Sequence, residues 1–345
     1  MRAAALLSLS VLALSAMPAH AAEPPPRVLT EAALQTPKAQ GAAMLGVTRA
    51  GSRLVAVGER GTVLLSDDDG ARWRQAVVPV QVSLTAVRFV DARTGWAVGH
   101  LGVILKTMDG GEHWTRQLDG VGAAERIVAA AASSADERDR KLAARYADEG
   151  PDKPFFDVDF ADAQHGVAVG AYGLAFATSD GGTTWTPLIG KLPNPKSLHL
   201  YAVRWAAGNS LVIAGEQGLL MKSADAGASF TALASPYKGS WFGLVAARSG
   251  TLVAYGLRGK VFRSTDGGAN WQGVDSGMPV AISAGIELAS GALALVGQTG
   301  DVLVSRDDGI AFQKQPAAGP LPATGLAAAA DGHLVLSSLR GLRRQ

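Results

Sequence analysis

The chain repeats itself, and the repeat leaves few folds open to it. The pattern Ser/Thr-x-Asp-x-Gly-x-x-Trp/Phe occurs six times: SDDDGARW from Ser66, TMDGGEHW from Thr107, TSDGGTTW from Thr178, SADAGASF from Ser223, STDGGANW from Ser264 and SRDDGIAF from Ser305. Each copy follows an apolar run ending in a Gly-x-x-Gly turn, with first glycines at Gly58, Gly99, Gly170, Gly215, Gly256 and Gly297. These glycines stand 41, 71, 45, 41 and 41 residues apart. A further step of 41 reaches Ser338, where SLRG occupies the same place with no aspartate motif after it. A self-similar period of about 40 to 45 residues with strand-like content reads as a β-propeller, one four-stranded blade per repeat.

The strands are visible inside a single repeat. TAVRFVD (Thr85–Asp91) alternates, GWAVGH and GVILKTMD are short apolar runs, and HWTRQL closes the unit. Such runs, bounded by glycine and aspartate, are the mark of half-buried strands. One blade cannot bury both of its faces, so neighbours must stack. The expected class is all-β: a seven-bladed propeller filling residues 22–345 as one domain. The chain stops at Gln345, before the seventh repeat reaches its outermost strand, and PRVLTEAALQTP (Pro26–Pro37) has no blade of its own. That segment is expected to supply the missing strand and so remove two exposed sheet edges.

The aspartates of the motif, Asp68, Asp109, Asp180, Asp225, Asp266 and Asp307, fall between the third and fourth strands. As functional groups they would be calcium ligands or catalytic carboxylates. As structural groups they would accept hydrogen bonds from the backbone of their own turn, each charge-assisted bond contributing roughly 1.5–3 kcal/mol. Glycine in the motif supplies the positive φ that a tight hairpin needs, and the aromatic can pack beneath the turn between blades. A catalytic acid is needed once; six copies favour the staple.

The first residues, MRAAALLSLSVLALSAMPAHAA, join an arginine, an apolar stretch and a small-x-small end at Ala21. This pattern is a secretory signal peptide over residues 1–21, and the protein is expected in the periplasm, not spanning the membrane and monomeric. There is no cysteine in the chain, which leaves disulfides out of the account. The net charge of +2 argues against nucleic acid as a partner. The six histidines have no metal-ligand spacing, and no cofactor motif is present, so neither a metal nor a cofactor is expected.

The 71-residue step holds an insertion, residues 119–153, whose Ala-rich and charged stretch AERIVAAAASSADERDRKLAARYADEG reads as one or two helices ending at Gly150. It joins blade two to blade three, and in a propeller such connections share a face with the Gly-x-x-Gly turns, opposite the aspartate motifs. Long loops on a rigid scaffold are where binding concentrates. The turn tips on that face carry Arg60, His100, Tyr172, Glu216, Arg258 and Arg340, and the innermost strands should aim Arg88, Arg204, Asp157 and Asp159 into the channel. Arginine forks suit carboxylates and acidic segments. These residues are therefore the candidate binding set. The bland alternative is that channel charges pair and tip arginines are solvated.

The blade pattern, the single insertion ending GPDKPFFDVDFADAQHGVAVGAYG and the signal peptide resemble the photosystem II assembly and stability factors of cyanobacteria and chloroplasts, and more closely their proteobacterial relatives. The resemblance implies a non-enzymatic seven-bladed propeller that holds a protein partner, a subunit of a membrane complex, during assembly. It also implies an arginine-rich docking face, to which Arg60, Arg258 and Arg340 would belong. The rival class is a sialidase or another glycoside hydrolase, since sialidases share the aspartate repeat. The chain lacks the RIP motif of that class, and its best tyrosine–glutamate pair is Tyr172 with Glu216. Asp157 and Asp159, two apart on one strand, cannot flank a sugar.

Overall fold

The computed structural model describes residues 25–316 and 319–345. It is a ring of seven antiparallel sheets whose strands follow one another in chain order, six of four strands and the last of three. The innermost strands are Met44–Ala50, Leu84–Phe89, Phe155–Phe160, Leu200–Trp205, Trp241–Ala246, Ile282–Glu287 and Ala323–Ala328, and the blades are numbered one to seven in that order. The second strand of every blade is buried along its length, apart from its first residue in blades one and seven. Outermost strands are short, only Arg74–Gln75 in blade one and Thr186–Pro187 in blade three, and more exposed than the inner ones. The signal-peptide stretch lies outside the described residues.

The apolar core is divided into seven wedges, one at each blade interface, and blade seven closes on blade one through Met44, Val47 and Leu54 packed with Ala327, Ala329 and Val335. Each buried large aliphatic side chain contributes about 1.5–3 kcal/mol. Blades seven and one thus close on each other by side-chain packing and side-chain–backbone bonds, without strand pairing between them among the described residues.

The aspartate motif is the staple between third and fourth strands. In STDGGANW the Ser264 hydroxyl donates to Asp266 at 2.8 Å and accepts the buried Gly268 N–H at 2.9 Å, while Asp266 accepts the Asn270 N–H at 2.9 Å. The same three bonds recur in the other five copies. These donors hold the carboxylates well below the usual range. Asp180 is lowered to about 2, chiefly by the Thr184 hydroxyl, and Asp225 to about 2, chiefly by the Ser229 hydroxyl. Asp266 is also lowered to about 2, chiefly by the Asn270 backbone N–H. The aromatic that ends each copy packs into the wedge shared with the preceding blade, as Trp114 does between blades one and two.

The N-terminal segment departs from expectation. Blade seven keeps three strands, Ala323–Ala328, Leu334–Ser338 and Gly341–Arg344, and Pro26–Pro37 pairs with none of them. Instead it straps the connection between blades one and two. Leu29 is buried in that wedge, Val28 accepts the Gln81 N–H at 2.8 Å and the Ala33 N–H donates to Val78 at 2.9 Å. Its Leu29 and Ala33 fill a hollow that those blades leave open, a long-range fit that outweighs any local strand tendency. The outer edge of blade seven carries Arg343 and Arg344, the kind of charge that blunts an unpaired edge.

The insertion forms two helices, α1 (Gly120–Ala132) and α2 (Glu137–Glu149), capped by Asp119 and Asp136 side chains that accept backbone N–H bonds at 3.0 and 2.8 Å. Gly150 ends α2 with φ of 76°. Ile127, Ala131, Ala143 and Tyr146 bury themselves in the wedge of blades two and three. Buried Lys153 bonds Glu149 at 2.8 Å and lies over the Tyr146 ring. The hairpin is a fixed part of the turn face.

Candidate docking face and channel

The Gly-x-x-Gly turns of blades one to five are pinned at the mouth of the channel. In blade one the Glu59 N–H donates to Ala43, just ahead of the innermost strand, at 2.9 Å. A Cβ on Gly58 would stand 2.2 Å from that carbonyl oxygen, and one on Gly61 2.0 Å from the Val80 carbonyl oxygen. Two backbones cross the turn, and only glycine admits both. The residue between them is left-handed: Arg60, Leu101, Tyr172, Gln217 and Arg258 have φ of 52–56°. Arg340 instead follows a tight turn in which its N–H donates to the Ser338 hydroxyl at 3.0 Å.

Arg60, Arg258, Arg340 and His100 are exposed, and among the described residues none of them has an ion-pair partner. Acids on the same turns are occupied by backbone: Glu59 accepts the Ala43 N–H at 3.0 Å and Glu216 the His199 N–H at 3.2 Å. Four lysines that sequence reasoning missed, Lys191, Lys196, Lys238 and Lys260, are also exposed on the turns or blade connections of this face, and no ion pair engages them among the described residues. The opposite face treats several of its arginines differently. Arg53 lies between Asp67 at 2.6 Å and Glu112 at 2.9 Å, Arg248 bonds Glu287 at 3.0 Å and Arg263 bonds Asp308 at 2.9 Å. The turn face thus carries a set of exposed cations with no ion pair among the described residues, although Arg72, Arg93 and Arg306 are likewise exposed and unpaired on the opposite face.

The channel is a cavity of about 470 Å³ lined by all seven innermost strands. Arg88, Asp157, Asp159 and Arg204 all reach it, as their alternation predicts. They are paired: Arg204 bonds Asp157, and Arg88 stands 3.6 Å from Asp159. Asp157 also accepts the Val203 N–H at 3.0 Å and Asp159 the Trp205 N–H at 2.8 Å, so blade three is stapled to blade four through both carboxylates. Burial pushes Asp159 up against the pull of the two arginines, and burial with the Arg204 charge pulls Arg88 down. Tyr255 packs where Gly243 leaves room, and burial raises its phenol to about 12.

Tyr172 and Glu216, the sequence pair for a tyrosine nucleophile, are not hydrogen-bonded to each other but each bonds His199. The Tyr172 N–H donates to His199 Nδ1 at 2.9 Å, and its ring meets the imidazole edge-on, with centroids 4.6 Å apart. His199 in turn packs against Phe156 and Tyr201. This aromatic group escaped sequence reasoning. Its signal was a fixed spacing: Phe156, Tyr201 and Phe242 each stand fourteen residues before a turn glycine, Gly170, Gly215 and Gly256. Among the described residues no group of three or more His, Cys, Asp or Glu side chains is arranged for a metal, and no helix is long and apolar enough to cross a membrane.

Seven wedge-packed blades and six aspartate staples define a seven-bladed aspartate-motif propeller. Within that class, the sequence profile described as "Photosynthesis system II assembly factor YCF48" matches residues 65–132 and 146–284. That is more than half of the chain, and the chain belongs to this family. A photosystem II assembly lipoprotein, Ycf48, from Synechococcus sp. (strain CC9902) is 38% identical over 77 residues, which span 22% of this chain and 23% of that relative. A solved structure, "YCF48 bound to D1 peptide", superposes with a TM-score of 0.64 at 16% identity over 90% of this chain and 94% of the other. A glycoside hydrolase family 74 xyloglucanase from Xanthomonas campestris gives 0.62 at 13% identity, over 88% of this chain and 52% of that enzyme. At such identities these two likenesses concern the fold.

Proposed function

We propose that this protein is an exported, periplasmic and monomeric assembly factor without catalytic activity. Its turn face holds an exposed acidic segment of a membrane-complex subunit while the complex is built. The observation that carries the reading is the set of cations with no ion pair among the described residues, Arg60, Arg258 and Arg340 with Lys191, Lys196, Lys238 and Lys260, on a face whose turn glutamates are spent on backbone. Family membership and the relative solved with a D1 peptide support a peptide segment as the thing held. Charge of one sign on a rigid rim steers an acidic partner and fixes its register.

A hydrolase would need two free carboxylates across a cleft. The channel carboxylates Asp157 and Asp159 are instead engaged by arginine and by backbone of the neighbouring blade. The test is in-cell crosslinking capture with the wild type and with the triple variant Arg60→Ala, Arg258→Ala, Arg340→Ala, both first shown to fold. One membrane protein captured by the wild type and lost from the variant is expected. Equal capture by both would remove these arginines from the dock.

A further inference from the structure

At one position the blades of the ring differ in a way that bears on binding. The second residue of every innermost strand sits at a bulge, and all seven line the channel: Leu45, Thr85, Phe156, Tyr201, Phe242, Ser283 and Thr324. In blades two, six and seven this residue stitches the ring, its hydroxyl donating to the first carbonyl of the next blade. Thr85 reaches Phe155 at 2.7 Å, Ser283 reaches Ala323 at 2.9 Å and Thr324 reaches Met44 at 2.6 Å. Blades three, four and five replace the hydroxyl with a ring. Those rings meet one another at 5.4 Å between Phe156 and Tyr201 and at 5.6 Å between Tyr201 and Phe242, and each remains partly exposed.

Three blades use a small hydroxyl residue here, blade one has Leu45, and three consecutive blades present partly exposed aromatic surface in place of the stitch. Exposed lysines and an arginine border the same blades: Lys196 ahead of blade four, Lys238 ahead of blade five, and Arg258 with Lys260 on the blade-five turn. An apolar arc beside cations is complementary to an extended acidic peptide that also carries an apolar side chain. Such a rigid aromatic anchor point is where binding energy concentrates at interfaces.

We propose that Phe156, Tyr201 and Phe242 form the seat for an apolar side chain of the partner segment and so select which acidic segments are held. This rests on the reading that the turn face docks a protein segment: the cations attract, and the arc discriminates. Burying one large apolar side chain on the arc is expected to change Kd by about tenfold or more.

The test uses the full chain and two fluorescein-labelled peptides, both of glutamate, glycine and serine, one with a central Phe-Leu and the other with Ser-Ser. Fluorescence anisotropy gives each Kd for the wild type, for Phe156→Thr/Tyr201→Thr/Phe242→Thr, and for the triple arginine variant. Threonine is what blades two and seven carry at this place, so the arc variant can make the inter-blade bond and is expected to fold, as circular dichroism will check. The expected result is a preference of about tenfold or more for Phe-Leu in the wild type and none in the arc variant. The arginine variant should bind both peptides more weakly with the preference intact. A wild type indifferent to Phe-Leu, or an arc variant that keeps the preference, overturns the proposal while leaving the cationic dock standing. Full affinity in the arginine variant would instead sink the cationic dock and leave the arc. Binding of neither peptide overturns both. A wild-type dimer in sedimentation that the arc variant dissolves would make a second copy the occupant, and also overturns it.

Discussion

Removing the charge of Asp157 should destabilise the ring about as much as removing both partners of its pair. Asp157 is buried in the channel wall, where it bonds the Arg204 guanidinium and accepts the Val203 N–H at 3.0 Å. Asp157→Asn keeps an oxygen for Val203 but leaves Arg204, whose side chain is 15% exposed, without its carboxylate. Orphaning one member of a buried pair costs about 3–5 kcal/mol, and the lower end applies here because Asp159 still offsets part of the charge. Arg204→Met should cost about as much, ~3 kcal/mol, by stranding Asp157. The double variant carries no orphan charge and should also lose only about 3 kcal/mol rather than the sum, a coupling of about 3 kcal/mol. Urea unfolding followed by tryptophan fluorescence, with the slope checked for each variant, measures all three. Additive losses would refute the claim that this pair is one energetic unit joining blades three and four.

Three further outcomes follow from the same geometry. Ser264→Ala strands the buried Gly268 N–H, and urea unfolding should show a loss of about 1–3 kcal/mol, with a similar loss for Ser223→Ala because the staple recurs. Gly58→Ala drives a Cβ to 2.2 Å from the Ala43 carbonyl oxygen and should cost about 1–3 kcal/mol, whereas Gly41→Ala, with nothing within 4 Å and no positive φ, should be neutral or slightly stabilising; thermal unfolding separates them. Asp180, Asp225 and Asp266 titrate near 2 when folded, below their unfolded range near 3.8. Their contribution is therefore complete above about pH 4 and lost as the pH falls toward 2, and Asp→Asn at all three should flatten the decline of stability in that window.

The architecture was legible because each blade repeats its demands. The crossing backbones at Gly58 and Gly61 forbid a side chain, so the turn glycines mark the period, and the hydrogen bonds around Asp266 recur wherever a hairpin joins the third and fourth strands. Channel placement of Arg88, Arg204, Asp157 and Asp159 follows from strand alternation. What could not be read depends on contacts distant in sequence. Leu29 is held by a wedge made of blades one and two, so Pro26–Pro37 became a strap instead of a strand. Lys191 and Lys238 join the turn face only through the course of the blade connections. Phe156, Tyr201 and Phe242 reach the channel through bulges, which simple alternation does not register.

The central claim is that the partner sits on the turn face. A photo-crosslinking amino acid placed at Arg258, on that face, and separately at Ala269, on the aspartate-motif hairpin of the same blade, tests it within one molecule. The account predicts a discrete adduct with a membrane-complex subunit from position 258 and none from position 269. An adduct from position 269 alone would put the dock on the opposite face and contradict it.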